Sequence, residues 1–231
     1  MRDLIGWIDR TRPVVASVIR NICKGEGIGR LRAVNTLFDA DKIVHNFSNM
    51  NAAFLNVELK QGDGPATQLP VGPELTMPPE YSAWTTKRAV TSMLVLKNGK
   101  IAHQSYYQGT GPDDRRISWS VAKSYMSALF GILVDEGAIT SLDDPVTRYV
   151  PRLIGGAYDG ASVRDVLQMS SGIAFDEDYL SYDSDINQMG RVLALGGKMD
   201  DFASGLTKTI AHAGQQWQYT SINTHVVGMI A

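Results

Sequence analysis

The chain contains 231 residues, which is enough for one sizeable hydrophobic core or for two modest subdomains. Hydrophobic residues make up 44% and charged residues 20%, a balance that is typical of folded globular proteins and excludes extensive disorder. The formal net charge of -2, with no run of basic residues, argues against a nucleic-acid partner and favours a small-molecule one.

The N-terminal part shows apolar residues at helical spacing from Leu4 to Phe38, and Gly25, Gly27 and Gly29 predict a flexible joint within it. Charged residues near the start leave no apolar stretch long enough for a signal peptide or a membrane span. The single cysteine, Cys23, excludes an intrachain disulfide and is interpreted as a packing or surface thiol. We therefore expect a cytoplasmic protein without a membrane partner.

The next part of the chain predicts a linker and a hairpin. Residues 61–79 are rich in glycine and proline, which indicates an extended linker. Two runs of β-branched and aromatic residues then flank Asn98-Gly99, the pair that best supports a two-residue turn with positive φ at both positions. The pattern therefore predicts a β-hairpin.

From Ser120 to Glu136 the apolar pattern is helical, and Gly137 is a suitable C-terminal cap. Apolar residues cover nearly the whole circumference, so we expect a helix that is buried on most sides. Ser120 and Lys123 lie three residues apart in its first turn, and their hydroxyl and amine should therefore face the same way.

Shorter elements follow this helix. Residues 141–151 indicate turns and a short helix, and Ser162 with Asp165 has the pattern of a capping box. Residues 175–187 form an acidic and aromatic segment without the ligand spacing of a calcium site, which favours a solvated loop over a metal site. A helical stretch through Leu193 and Phe202 is next, and an apolar helix reaches Ala231.

Two interpretations of Ser120 and Lys123 are open on the residues alone. A serine at a helix start is usually a cap, and the Ser-x-x-Lys spacing can arise by chance in a chain with 17 serines and 9 lysines. In the other interpretation, a desolvated lysine accepts the serine's proton and makes the hydroxyl a nucleophile. The N–H groups at the helix start would then stabilise the oxyanion that develops during attack on a carbonyl.

Other catalytic chemistries have little support in the sequence. The chain contains no Gly-x-Ser-x-Gly elbow, no HExxH motif and no pair of cysteines. The four histidines are scattered along the chain, at His45, His103, His212 and His225. We therefore expect neither a metal ion nor a cofactor.

Several stretches, taken in order, resemble the serine β-lactamase and penicillin-recognising superfamily, and in particular its esterase and 6-aminohexanoate-dimer hydrolase branch. They are MLVLKNGKIAHQSYY, SWSVAKSYMSALFGILVDEGAI, SLDDPVTRYVP, VRDVLQMSSGIAFDEDY and WQYTSINTHVVGMI. The resemblance implies an α+β, transpeptidase-like fold, in which helices flank an antiparallel sheet and form a helical subdomain. It also implies a serine hydrolase that cleaves small esters or linear amides through an acyl-enzyme.

The resemblance further implies that Ser120 is the nucleophile, that Lys123 accepts its proton and that Tyr219 shares in proton transfer. The tyrosine motif, Tyr-x-Ser, occurs four times, at Tyr125, Tyr179, Tyr182 and Tyr219. Tyr219 has the family's context, because it follows GQQW and precedes the last apolar helix. We expect the substrate to contact Ser221, Asn223 and Trp119.

The same resemblance divides the chain into an N-terminal extension with its linker, residues 1–85, and the N-terminal portion of a β-lactamase-like domain, residues 86–231. The family's third motif and its late strands do not follow Tyr219, so we expect a domain that is incomplete at the C-terminus. An open hairpin edge would then require self-association or a complementary C-terminal chain. Two other functions stay open: a β-lactamase or D-Ala-D-Ala peptidase, and a non-catalytic ligand-binding protein or inactive fragment.

Overall fold

The computed structural model describes residues 26–60 and 62–231. Cys23 and most of the N-terminal helical pattern lie outside the described residues. The chain forms two compact units. The hairpin unit comprises residues 36–51 and 56–117, and the helical unit comprises described residues 26–35 together with 52–55 and 118–231. The predicted boundary between residues 85 and 86 stays a prediction.

Helices and one small sheet make up the described part of the chain, and the predicted α+β class is confirmed. The helices in chain order are α1 (Glu26–Asn35), α2 (Ile43–Ser48), α3 (Tyr81–Lys87), α4 (Ala122–Asp135), α5 (Val146–Tyr149), α6 (Val163–Leu167), α7 (Asp185–Ala194), α8 (Met199–Ser204) and α9 (Ser221–Ile230). The strands are β1 (Ser92–Lys97) and β2 (Lys100–Tyr106). Short 3₁₀ turns lie at Met50–Ala52, Trp119–Val121 and Pro151–Leu153. Among the described residues, no helix has both the length and the apolar character that a membrane crossing requires.

The hairpin of β1 and β2 confirms the prediction from the sequence. The strands are antiparallel, and Lys97 pairs with Lys100 across the turn. Asn98 has a φ of 52° and Gly99 a φ of 73°, so both central residues adopt the positive φ that a tight hairpin turn requires. The register shifts between Val95 and Leu96, which marks a local irregularity in β1.

Part of the predicted linker packs against the outer edge of β2. The Ile101 N–H donates to the Pro70 carbonyl at 2.9 Å, and the Gly72 N–H donates to the Ile101 carbonyl at 2.8 Å. A Cβ on Gly72 would lie 2.9 Å from Cβ of Lys100, so glycine permits this close approach. The linker stays a prediction, and part of it borders a hairpin edge that the sequence suggested was open.

The core of the helical unit lies between its short helices. Helix α9 packs against α4, α6 and α8. The fully buried residues at the centre of this packing include Val146, Leu153, Val163, Val166, Ile222 and Val226. Helix α6 begins with the predicted capping box, in which the Asp165 N–H donates to Oγ of Ser162 at 3.1 Å and the Ser162 N–H donates to Oδ2 of Asp165 at 3.0 Å.

Helix α4 differs from the expectation that it is buried on most sides. Phe130 is its buried residue, and Met126 and Leu133 pack beside it against the core. These positions form one stripe at the spacing i, i+4, i+7. Val121, which precedes the helix, is 61% exposed and Ile132 is 53% exposed. The prediction is wrong because an all-apolar circumference does not specify how many sides have a packing partner.

The sequence prediction also differs from the structure at two places where a helix was expected to break or to continue. Of the three glycines predicted to form a flexible joint, Gly25 lies outside the described residues, and Gly27 and Gly29 lie inside α1 and do not form one. Arg30 of α1 donates from Nε to the Ala194 carbonyl of α7 at 2.8 Å, which fixes α1 within the helical unit. The stretch predicted to run through Leu193 and Phe202 is divided between α7 and α8, and Gly196 in the break has a φ of 74°.

Candidate active site

Ser120 lies in the 3₁₀ turn that leads into α4. The cap residue of α4 is Val121, and no side chain makes a cap hydrogen bond there, so the hydroxyl of Ser120 does not cap the helix. The preceding residue, Trp119, has a φ of 44°, a left-handed conformation that is costly for a bulky side chain. This sharp change in backbone direction leaves Ser120 exposed at the surface of the helical unit.

The hydroxyl of Ser120 contacts both of the other predicted catalytic residues. Oγ of Ser120 lies 2.6 Å from the phenol oxygen of Tyr219. Nζ of Lys123 donates to the same Oγ at 3.3 Å, and it lies 5.6 Å from the centre of the Tyr219 ring. An amine, a hydroxyl and a phenol therefore meet at one point, and a proton can pass between them without a bridging water.

Tyr219 reaches this point from a segment that is anchored on both sides. The Gln218 N–H donates to the Met169 carbonyl at 2.8 Å, and Nε2 of Gln218 donates to the Phe175 carbonyl at 3.1 Å. The next residue, Thr220, is buried, and α9 begins immediately after it. Among the four Tyr-x-Ser tyrosines, Tyr219 is the one that contacts Ser120, while Tyr125 is 74% exposed on α4.

Ser221 is the first residue of α9 and contacts a residue that the sequence did not single out. Its N–H donates to one carboxylate oxygen of Glu177, and its Oγ donates to Oε2 of Glu177 at 3.1 Å. Glu177 is 44 positions away in the sequence, so no local pattern could have indicated the contact. The acidic loop thus reaches the start of the helix that follows Tyr219.

Asn223 lies in the core, with 0% of its surface exposed. Its Oδ1 accepts hydrogen bonds from the phenol of Tyr158 at 2.8 Å and from Oγ of Ser171 at 3.1 Å. Burial raises the pKa of Tyr158, so the phenol keeps its proton and remains a donor. The contacts of Asn223 in the structure are therefore internal, and its predicted contact with the substrate stays a prediction.

The remaining predicted substrate-binding residues lie next to the Ser120–Tyr219 contact in the sequence. Trp119 directly precedes Ser120 and is 41% exposed. Ser221 is half-buried, two residues after Tyr219. Tyr179 is partly exposed in the acidic loop, and partial burial, with the nearby negative charge of Glu177, raises the pKa of its phenol.

Three carboxylates of the acidic loop accept hydrogen bonds from backbone N–H groups of the same loop. Asp176 accepts from the Asp178 N–H at 2.9 Å, Asp178 accepts from the Leu180 N–H at 2.9 Å, and Asp185 accepts from the Asp176 N–H at 2.8 Å. In the part of the chain that the structure describes, no three side chains of His, Cys, Asp or Glu are grouped in a way that could hold a metal ion. These carboxylates stabilise the loop backbone.

Comparison with known proteins places this chain in a family. A solved structure from Bacillus anthracis that bears the name 6-aminohexanoate-dimer hydrolase superimposes with a TM-score of 0.71 at 15% identity, over 84% of this chain and 55% of that one. A solved structure from Bacteroides dorei DSM 17855 that bears the name beta-lactamase gives a TM-score of 0.47 at 21% identity, over 65% of this chain and 43% of that one. Residues 80–231 match the Beta-lactamase family profile. The chain belongs to the β-lactamase family.

A curated relative supports the branch that the sequence resembles. The 6-aminohexanoate-dimer hydrolase of Paenarthrobacter ureafaciens is 34% identical over 157 residues, which is 66% of this chain. The chain spans 40% of the length of that relative.

Proposed function

We propose that the chain is the nucleophile-bearing part of a serine hydrolase that cleaves amides or esters through an acyl-enzyme on Ser120. The observation that carries the proposal is the position of the Ser120 hydroxyl, 2.6 Å from the phenol of Tyr219 and 3.3 Å from the amine of Lys123. A serine hydroxyl is a weak nucleophile until a neighbouring base takes its proton, and Lys123 is within reach to do so. Membership of the β-lactamase family supports the same chemistry.

In the proposed reaction, Oγ of Ser120 attacks the carbonyl carbon of the substrate while its proton moves to Nζ of Lys123. The backbone N–H of Ser120 provides half of the oxyanion hole for the negative oxygen of the tetrahedral intermediate. Tyr219 passes its proton to the leaving nitrogen or oxygen and takes up the proton held by Lys123, the bond between the leaving group and the carbonyl carbon breaks, and an acyl ester on Ser120 remains. Water then adds to this ester and gives a proton to Lys123, and collapse of the second intermediate releases the acid while that proton moves from Lys123 to Oγ of Ser120.

We propose a small linear amide or ester as the substrate, because the relative from Paenarthrobacter ureafaciens bears the name of a hydrolase of 6-aminohexanoate dimers. Ser221 and Trp119 would orient the substrate on either side of the acylated serine. Asn223 would act indirectly, because its buried amide holds Tyr158 and Ser171 beneath the first turn of α9.

Hydrolysis of p-nitrophenyl butyrate by the parent chain and by two serine variants tests the proposal. Ser120→Ala should abolish turnover, and intact mass spectrometry should detect a butyryl adduct on the parent chain alone. Ser124→Ala is the matched control, since Ser124 is an exposed serine of the same helix and should leave the rate unchanged. Equal rates in the parent chain and Ser120→Ala would contradict the proposal.

Two further reagents distinguish the alternative functions. Hydrolysis of the chromogenic β-lactam nitrocefin, without turnover of linear esters or amides, would favour a β-lactamase. A parent chain that neither turns over a substrate nor reacts with a fluorophosphonate serine probe would favour a non-catalytic protein or inactive fragment.

A further inference from the structure

Helix α9 begins without a cap from its own sequence. The residue before it, Thr220, makes no side-chain cap hydrogen bond, and its Oγ1 donates instead to the Gln218 carbonyl at 3.1 Å. The first N–H groups of any helix have no partner within the helix, so a buried helix start requires acceptors from elsewhere. At α9 the acceptor for the Ser221 N–H is the carboxylate of Glu177.

The carboxylate of Glu177 accepts two hydrogen bonds from Ser221, the first residue of α9. One carboxylate oxygen accepts from the backbone N–H of Ser221, and Oε2 accepts from the Ser221 hydroxyl at 3.1 Å. A carboxylate at a helix N-terminus is also favoured by the helix dipole. Two hydrogen bonds to one residue fix the direction of the helix start as well as its distance from the loop.

Hydrogen bonds hold the backbone that leads into Glu177. On the N-terminal side, Phe175 is buried and its carbonyl accepts from Nε2 of Gln218 at 3.1 Å. The neighbouring Asp176 accepts at its carbonyl from the Ile186 N–H at 3.1 Å, which ties the loop to the start of α7. Glu177 therefore extends from a fixed backbone, so its carboxylate can hold α9 in place.

We propose that Glu177 is a positioning residue that sets the start of α9 and thereby holds the phenol of Tyr219 against Ser120. Tyr219 lies two residues before Ser221, so a rotation or shift of the first turn of α9 moves the phenol directly. A displacement of about 1 Å of a proton-transfer group lowers catalytic rates steeply. The proposal rests on the proposed function, in which Tyr219 transfers a proton to the leaving group.

The kinetic test uses Glu177→Ala, Glu177→Gln and the matched control Asp159→Ala. Asp159 also accepts a backbone N–H, that of Gly155 at 3.0 Å, and this hydrogen bond involves neither Ser221 nor Tyr219. Glu177→Ala should lower kcat on p-nitrophenyl butyrate about a hundredfold and change KM less than about threefold. Glu177→Gln should recover most of kcat, because its amide oxygen still accepts the Ser221 N–H. Asp159→Ala should keep the parent kcat.

Hydrogen exchange measured by mass spectrometry on the segment 219–224 provides a readout that does not need activity. Glu177→Ala should speed exchange there, and Asp159→Ala should not. No turnover by the parent chain would contradict the proposed function. The exchange rates would still test whether Glu177 holds the start of α9. An active parent with an unchanged kcat in Glu177→Ala, equal losses in the Gln and Ala variants, or unchanged exchange would each overturn the inference.

Discussion

The phenol oxygen of Tyr219 lies 2.6 Å from Oγ of Ser120, a distance at which the two groups share one hydrogen bond. Nζ of Lys123, in the first turn of α4, lies 3.3 Å from the same Oγ. Both partners that could move the serine's proton therefore contact the same atom. Their separate contributions can be measured by removing each in turn.

Tyr219→Phe should lower kcat about a thousandfold, because the ring still packs but the hydroxyl that delivers a proton to the leaving group is gone. KM should change little, since the proton transfer occurs in the transition state. Steady-state kinetics with a p-nitroanilide substrate checks this, because an amide nitrogen needs a proton to leave. Tyr125→Phe is the control, because Tyr125 starts another Tyr-x-Ser pattern and is largely exposed. A similar loss in Tyr125→Phe would contradict the assignment of Tyr219.

Lys123→Arg should lower kcat about a thousandfold, because a guanidinium is always protonated and cannot accept the serine's proton. Lys123→Ala should cause a comparable loss. Lys208→Arg makes the same exchange at an exposed lysine and should leave the rate unchanged. If Lys123→Arg kept most of the activity, the lysine would act through its charge and not as the proton acceptor.

Asn223→Leu should destabilise the helical unit by about 3 kcal/mol, because it leaves the buried hydroxyls of Tyr158 and Ser171 without their common acceptor. Urea denaturation measures the loss in the free energy of unfolding. Adding Tyr158→Phe to Asn223→Leu should recover part of that loss, since one unpaired hydroxyl is removed. A variant that keeps its stability and raises KM would instead favour direct contact between Asn223 and the substrate.

Asp144→Asn should make the stability of the helical unit less sensitive to acid. Hydrogen bonds from Tyr149 at 2.7 Å and Thr140 at 2.8 Å, with the charge of Arg148, hold the pKa of Asp144 below its ordinary value. A carboxyl whose pKa is lower in the folded state adds stability at neutral pH, and that contribution is lost as pH falls below about 4. The free energy of unfolding, measured at several pH values, should therefore decline less steeply in the variant.

A second substitution provides the control for the acid effect. Tyr149→Phe removes the largest contributor to the lowered pKa and should reproduce part of the change. Identical slopes for the parent chain and both variants would show that Asp144 does not contribute to acid unfolding.

Features that depend on neighbouring residues were predictable from the sequence. The turn at Asn98-Gly99 is set by the ability of those two residues to adopt positive φ. The capping box of Ser162 and Asp165 spans a single turn. The spacing of Ser120 and Lys123 likewise predicted that their polar atoms would meet.

Features that depend on distant partners were not predictable. The apolar circumference of α4 indicated burial, but only the stripe through Phe130 has a partner in the core. The role of Glu177 depends on a residue 44 positions away, and its place in an acidic run made it look like a solvated side chain. Residues 70–75 lack any strand pattern, yet their backbone amides and carbonyls pair with β2.

The two hydrogen bonds of the Ser120 hydroxyl should form at different stages of folding. The contact with Lys123 spans three positions and can form with the first turn of α4, whereas the contact with Tyr219 spans 99. Closing so long a loop is slow, because chain entropy must be lost before the contact forms. A refolding chain should therefore gain serine reactivity only as the core around α9 closes, and a covalent serine probe would report the last stage of folding.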